Sequence, residues 1–157
     1  MDFKQASELR YNTQPIDTFA KPMVYTKEPT GDKRGEVIAQ GTYQGLNYYV
    51  KNIRRSHPTA YIEIPQGHKA YNKDFNEYER DLIDVHGGVT YQSGKLPPVD
   101  ANGERGHKFV GWDYAHAGDF CGNYIGDAYL EKHGKRWTTE EVVEECKNAI
   151  EQINALE

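Results

Sequence analysis

The chain has 157 residues, enough for one full hydrophobic core and too few for two ordinary domains. Its formal charge is −5, which argues against general binding of duplex nucleic acid, because such binding rests on a basic surface that displaces phosphate counterions. No run reaches membrane-spanning length and no apolar leader follows Met1-Asp2-Phe3-Lys4, so a protein acting in the cytoplasm and away from the membrane is the expectation.

Only 37% of residues are hydrophobic, and tyrosine supplies much of the apolar bulk, with 12 Tyr against 5 Phe and 2 Trp. A tyrosine ring is apolar but its hydroxyl needs a partner, which suits a surface that is partly core and partly binding site. Cys121 and Cys146 form neither a CxxC pair nor a disulfide framework, so both are expected as reduced, buried thiols.

Residues 1–34 read as an irregular arm, interrupted by Pro15, Pro22, Pro29 and Gly31. Residues 35–157 read as a single α+β domain. Glu36–Ala39 and Leu46–Val50 are two short apolar runs joined by a Gly-containing loop, the pattern of a hairpin. Ala60–Pro65 is a third strand, and a short helix is expected around Phe75–Arg80. Val89–Gln92 and Lys108–Asp113 read as further strands, with turn-rich loops at 97–106 and 118–135. The last element is a helix over roughly 139–155. Thr138 is its N-cap and Glu141 completes a capping box, while Val142, Val143, Cys146, Ala149, Ile150, Ile153 and Leu156 share one face. An antiparallel sheet with this amphipathic helix packed on it is the fold class expected.

Two segments concentrate chemistry. In His86-Gly87-Gly88-Val89-Thr90-Tyr91, adjacent glycines interrupt a strand pattern, which is unfavourable unless the backbone bends or something approaches it closely. The flanking imidazole and hydroxyl would then stand beside exposed amides, a combination that can hold a phosphate or a base edge. The plain alternative is a β-bulge. In Trp112-Asp113-Tyr114-Ala115-His116-Ala117-Gly118-Asp119, two carboxylates and an imidazole lie together, and either aspartate can fix the tautomer of His116. The plain alternative is a tight loop whose aspartates accept backbone N–H bonds. His86, Thr90, Asp113 and His116 are expected to converge. A third, weaker stretch sets Tyr61, His68, Tyr71 and Lys73 after a strand.

Sharper catalytic motifs are absent. The His-x-Thr/Ser element that two-histidine phosphoesterases carry in each half is not repeated here, His86 and Thr90 being four residues apart, and there is no HExxH, no Walker A loop and no GxGxxG. No metal spacing is enforced, and no metal or cofactor is expected.

The three stretches in this order resemble a group of small proteins encoded by tailed phages and prophages. The shared pattern is Tyr-x-x-(Ile/Val)-Pro-x-Gly-His-x-x-Tyr, matched by Tyr61 to Tyr71, then His-Gly-Gly-x-Thr-(Tyr/Phe), matched by His86 to Tyr91. It continues with Gly-x-Asp-x-Ala-His-Ala-Gly-Asp, matched by Gly111 to Asp119, and ends on a helix with Glu145-Cys146. Ala60, where the pattern has Gly, and the long amino-terminal arm depart from it. The group looks like the phage nucleotide sponges that counter cyclic-nucleotide antiphage defence. The resemblance implies a homo-oligomer in the host bacterial cytoplasm that binds a cyclic dinucleotide without cleaving it.

On that reading the ligand-binding residues are Arg54, Tyr61, His68, Tyr71, His86, Gly87, Gly88, Thr90, Tyr91, Trp112, Asp113, His116 and Asp119, and none is catalytic. Aromatic rings, with Tyr48 and Tyr49 as further candidates, would stack the bases, and Arg54 and Arg55 would meet the phosphates. Two other readings stand beside it: a phosphoesterase or nucleotide hydrolase using His86 and His116 as acid and base, and a protein-binding module without a small ligand.

Overall fold

The structure is a computed structural model that describes residues 21–25, 35–77, 80–94, 106–121 and 132–157. Its main body is a five-stranded antiparallel sheet in the order β1-β2-β3-β7-β6. The strands are β1 (Glu36–Tyr43), β2 (Leu46–Ile53), β3 (His57–Ile64), β6 (Tyr91–Ser93) and β7 (Lys108–Asp113). The helix α1 (Thr139–Ala155) packs across β1, β2 and β3. The protein is therefore an α+β domain with an antiparallel sheet and a C-terminal helix laid on it.

Alternation along the strands sets the two faces. Leu46, Tyr48 and Val50 of β2, Ala60, Ile62 and Ile64 of β3, and Val110 and Trp112 of β7 meet the helix in one buried core. The helix contributes Val142, Val143, Cys146, Ala149, Ile150 and Ile153, all buried, as its 3.6-residue spacing requires. Its N-cap is the expected one: Thr138 accepts from the Glu141 amide, and the Glu141 side chain returns to the Thr138 amide at 3.1 Å. Ile150 is 0% exposed in this core, so Ile150→Ala should lower unfolding free energy by about 2–5 kcal/mol. Urea denaturation measures it, and a loss well below 1 kcal/mol would place Ile150 outside the core.

The other face of the sheet is also buried, and it is aromatic: Tyr49, Tyr61 and Phe109 pack together with Tyr91 against them. A carboxylate lies among these rings. Glu63 accepts from Tyr49 Oη at 2.7 Å and from Asn47 Nδ2 at 3.2 Å, and lies 2.6 Å from His107 Nδ1. Sharing the charge among such partners is what makes burial of a carboxylate tolerable.

Two hairpin turns differ in a telling way. The β1–β2 turn uses Gln44 (φ +46°) and Gly45 (φ +86°), and the β2–β3 turn uses Arg54 (φ +50°) and Arg55 (φ +53°). Positive φ at both central residues is the requirement of a type I′ turn, which is usually met by Asn and Gly. A side chain in that region costs roughly 1–2 kcal/mol per residue.

The short helix expected around Phe75–Arg80 is not formed. Asn76–Glu77 (β4) and Arg80–Asp81 (β5) pair instead as a small antiparallel ladder. Phe75 is fully buried and anchors the segment, while the Asp74 carboxylate accepts from the Asn76 amide at 3.0 Å. That local bond competes with the helical alternative. Of the arm, Lys21–Tyr25 has no regular structure but is tied to the domain, with the Lys21 amide on Ile38 O at 2.6 Å and Lys21 O accepting from Thr139 Oγ1 at 2.6 Å. The rest of the expected arm, most of the loop at 97–106 and the middle of the loop at 118–135 lie outside the described residues. No helix among the described residues is long and apolar enough to cross a membrane.

Candidate functional site: a His86–Asp119 cleft

The glycine pair sits on a β-turn closed by the Gly88 amide on Val85 O at 2.9 Å, with Gly87 at φ +71° and Gly88 at φ +82°. Both conformations favour glycine. Space demands it as well. A Cβ on Gly87 would overlap Cδ2, Nε2 and Cε1 of His116, and one on Gly88 would collide with the Asp81 carboxylate. The first glycine therefore lets the second motif's histidine lie directly on the first motif's backbone.

The Ala-His-Ala-Gly-Asp stretch folds as a turn, with the Asp119 amide on His116 O at 2.9 Å and Gly118 at φ +90°. Asp119 is 2% exposed and is the hub of the site. Its Oδ2 lies 2.7 Å from His86 Nε2 and accepts from the His116 amide at 3.0 Å, while Oδ1 accepts from Trp137 Nε1 at 2.8 Å. The Asp119 carboxylate thus fixes the His86 ring with Nε2–H toward itself, which leaves Nδ1 as the nitrogen that can meet a ligand.

Aromatic contacts complete the positioning. His86 stacks on Tyr114 at 4.6 Å and 6°, and Trp137 meets it edge-on at 4.8 Å. The His86 amide donates to Glu145 Oε1 at 3.1 Å, which ties the turn to α1. Burial pushes the Tyr114 phenol above its ordinary range. A cleft of about 450 Å³ opens here, lined by Asp84, His86, Gly87, Trp137, Glu145 and Asn148 among others. Lys135 stands over the Trp137 ring at 3.8 Å and pairs with Glu141 at 2.7 Å.

A second histidine–carboxylate pair lies alongside. Asp113 accepts from the Ala115 amide at 3.0 Å and from Thr90 Oγ1 at 3.2 Å. His116 Nε2 is 3.1 Å from Asp113 Oδ1, close enough for an ion pair, yet this buried nitrogen lacks the alignment of a hydrogen bond. The rings of His86 and His116 are 5.9 Å apart. The expected convergence of His86, Thr90, Asp113 and His116 is therefore present, with Asp119 at its centre.

The remaining candidates lie elsewhere. Tyr61 and Tyr91 meet edge to face at 5.6 Å on the far face of the sheet, where the Tyr61 ring crosses Gly111. That crossing gives the motif glycine a packing role, since a Cβ there would come within 2.7 Å of Ala60 O. His68 clips its loop to the end of α1, with Nε2 2.8 Å from Asn154 Oδ1 and Nδ1 accepting from the Ala70 amide. Tyr71 is half-buried against the main core, and Tyr48 and Tyr49 are enclosed on opposite faces of β2. Trp112 is 1% exposed and donates from Nε1 to Tyr114 Oη at 3.1 Å, so it presents no ring face to a ligand. Arg54 stands in the β2–β3 turn.

Trp137 is the site residue that sequence reasoning missed. Its position just before the N-cap reads as an ordinary hydrophobic staple, although the basic run Lys132-His133-Gly134-Lys135-Arg136 before it was a usable signal. Glu145 gained meaning only through the resemblance. Among the described residues, no group of three or more His, Cys, Asp or Glu side chains is arranged to hold a metal ion.

His57 borders the site from β3, and burial pushes its imidazole below the ordinary range, against the opposing pull of Asp113 and Asp119. The unfolded chain then binds the proton more readily than the folded one. Stability should fall as pH drops from about 6.5 toward the lowered value, and be unaffected by this group above about 6.5. His57→Gln should flatten that part of a stability–pH curve; an unchanged slope would remove His57 as the cause.

The fold and the site together define a small α+β domain with an imidazole–carboxylate cleft between a loop pair and a helix. The chain matches no protein-family model, no curated protein and no solved structure.

Proposed function

We propose that this protein is a phage-encoded nucleotide sponge, one that captures a cyclic dinucleotide signal of antiphage defence in the host cytoplasm and holds it uncleaved. The observation that carries the reading is the meeting of His86–Tyr91 and Gly111–Asp119 in one place, with His86 fixed by Asp119 at the edge of an aromatic cleft. These are the two most specific parts of the resemblance. His86 Nδ1, Asp84 and Glu145 suit the polar edge of a base, and the exposed Lys135 and Arg136 suit its phosphates. A stacked base contributes ~1–3 kcal/mol. A two-fold ligand also suits a two-fold axis between copies, so a homo-oligomer is part of the proposal.

One observation favours a second reading. Two imidazoles, each beside a carboxylate and 5.9 Å apart, could act as acid and base on a phosphodiester. Incubation with a panel of cyclic dinucleotides, followed by washing, heat denaturation and chromatography of the released material, separates the two. Intact ligand from wild type and none from His86→Ala is the expected result. Hydrolysed ligand over many turnovers would establish the phosphoesterase, and no capture from any member of the panel would overturn the sponge.

A further inference from the structure

Residues 21–25 have no regular secondary structure, yet they are bound to several elements. Lys21 bridges β1 and the start of α1, through Ile38 O and Thr139 Oγ1. Val24 O accepts from Asn52 Nδ2 of β2 at 3.3 Å, and Met23 packs on the main core. Ordering irregular backbone opposes folding by roughly 1–2 kcal/mol per residue, which these contacts must offset. The segment is a strap laid across the domain.

Tyr25 ends the strap against residues that build the site. Its Oη donates to Trp137 O at 2.5 Å, and its ring meets Phe120 edge to face at 5.3 Å and 70°. Burial, with Glu141 nearby, pushes the phenol above its ordinary range, so Oη remains a donor through neutral pH. Trp137 walls the cleft, and Phe120 directly follows the hub Asp119. The two stretches are otherwise joined by a short parallel bridge, with the Phe120 amide on Lys135 O at 2.9 Å and the Lys135 amide on Gly118 O at 2.8 Å. Tyr25 spans both sides of that bridge.

We infer that Tyr25 is a positioning residue of the cleft: it clamps Phe120 to Trp137, and so keeps the Trp137 ring, with Lys135 over it, in register with Asp119 and His86. This rests on the nucleotide reading above and assigns the strap to that site. Trp137 offers a ring to a base, and Lys135, 3.8 Å from that ring, offers a cation to a phosphate. A ring or an ammonium that must be ordered on binding weakens affinity, and ordering it beforehand removes that loss.

Tyr25→Phe keeps the ring on Phe120 and removes the hydrogen bond to Trp137 O, while Tyr25→Ala removes both. Tyr25→Phe should stay folded, with Tm lowered by no more than about 8 °C. Its tryptophan emission should shift, and Tyr25→Phe combined with Trp137→Phe should match Trp137→Phe alone. Capture of cyclic di-AMP, cyclic di-GMP or cyclic GMP–AMP should weaken at least about fivefold in Tyr25→Phe and at least about tenfold in Tyr25→Ala. Ile150→Ala is the purely structural comparison, since it loses stability in the core under α1, and it should capture as wild type does while folded. Unchanged emission in Tyr25→Phe would overturn the clamp. So would wild-type capture by that variant, or an equal loss of capture in folded Ile150→Ala. If wild type captures none of the three dinucleotides, the sponge reading falls and emission alone decides the clamp: a Trp137-dependent shift sustains it, and no shift overturns it.

Discussion

Gly87→Ala should lose roughly 2–5 kcal/mol of unfolding free energy, a large effect for the addition of one methyl group to an exposed turn. Two causes act together. Alanine is strained at φ +71°, and its methyl would occupy space held by the His116 ring. The ring can retreat only by leaving its 3.1 Å approach to Asp113, while the His116 amide stays bound to Asp119. Chemical denaturation gives the stability, and the proposed capture of cyclic dinucleotide is then assayed on the folded variant. Gly118 is the control: it has φ +90° with nothing within 4 Å of a built Cβ, so Gly118→Ala carries only the conformational part. Equal losses at the two positions would show that the Gly87–His116 approach contributes nothing.

Asp119→Ala should have an effect of similar size, about 3–5 kcal/mol, for a different reason. One buried carboxylate is shared by His86 Nε2, Trp137 Nε1 and the His116 amide. Removing it strands three donors, two of them on rings that wall the cleft, and an unsatisfied buried donor costs more than the bond itself contributes. Trp137 should then move while Trp112, enclosed in the core, does not. The variant's tryptophan emission should shift in part, and Asp119→Ala combined with Trp137→Phe should abolish that shift. A loss below about 1 kcal/mol with unchanged emission would mean that Asp119 is not the hub. Asp119→Asn retains volume and one acceptor, so it should fall between the two.

The two substitutions bear on function through the same contact. Each loosens the fit between the His-Gly-Gly turn and the Ala-His-Ala-Gly-Asp turn, and the proposed cleft exists only while those turns are docked. A variant that stays folded below its melting temperature yet loses ligand tests the site separately from the core. Ile150→Ala is the counterpart, lowering stability from the far side of α1 without touching either turn.

Much of the fold was determined by sequence alone, for local reasons. The capping box and the 3.6-residue spacing from Val142 to Ile153 are complete within one segment, so α1 required no knowledge of its neighbours. The first hairpin and β7 followed from alternation and turn residues, which are also local. The two glycine-bearing motifs were legible as a site because their residue types are costly in ordinary strands, and the structure joins them through Gly87, His116 and Asp119. Only the tertiary structure decided the rest. Alternation says which residues share a face of a strand and not what covers that face, so Trp112 went to the core, and Tyr61 and Tyr91 to an aromatic cluster on the far side of the sheet. Asn76–Glu77 and Arg80–Asp81 became a ladder, beside the buried Phe75 and the bond from the Asn76 amide to Asp74 that competes with a helix. Trp137 and Glu145 reached His86 by contacts spanning the sequence, and the positive φ of Arg54 and Arg55 was imposed by closure of the β2–β3 hairpin. Such contacts are fixed by how the layers pack, a property of the whole chain that no single window of residues contains.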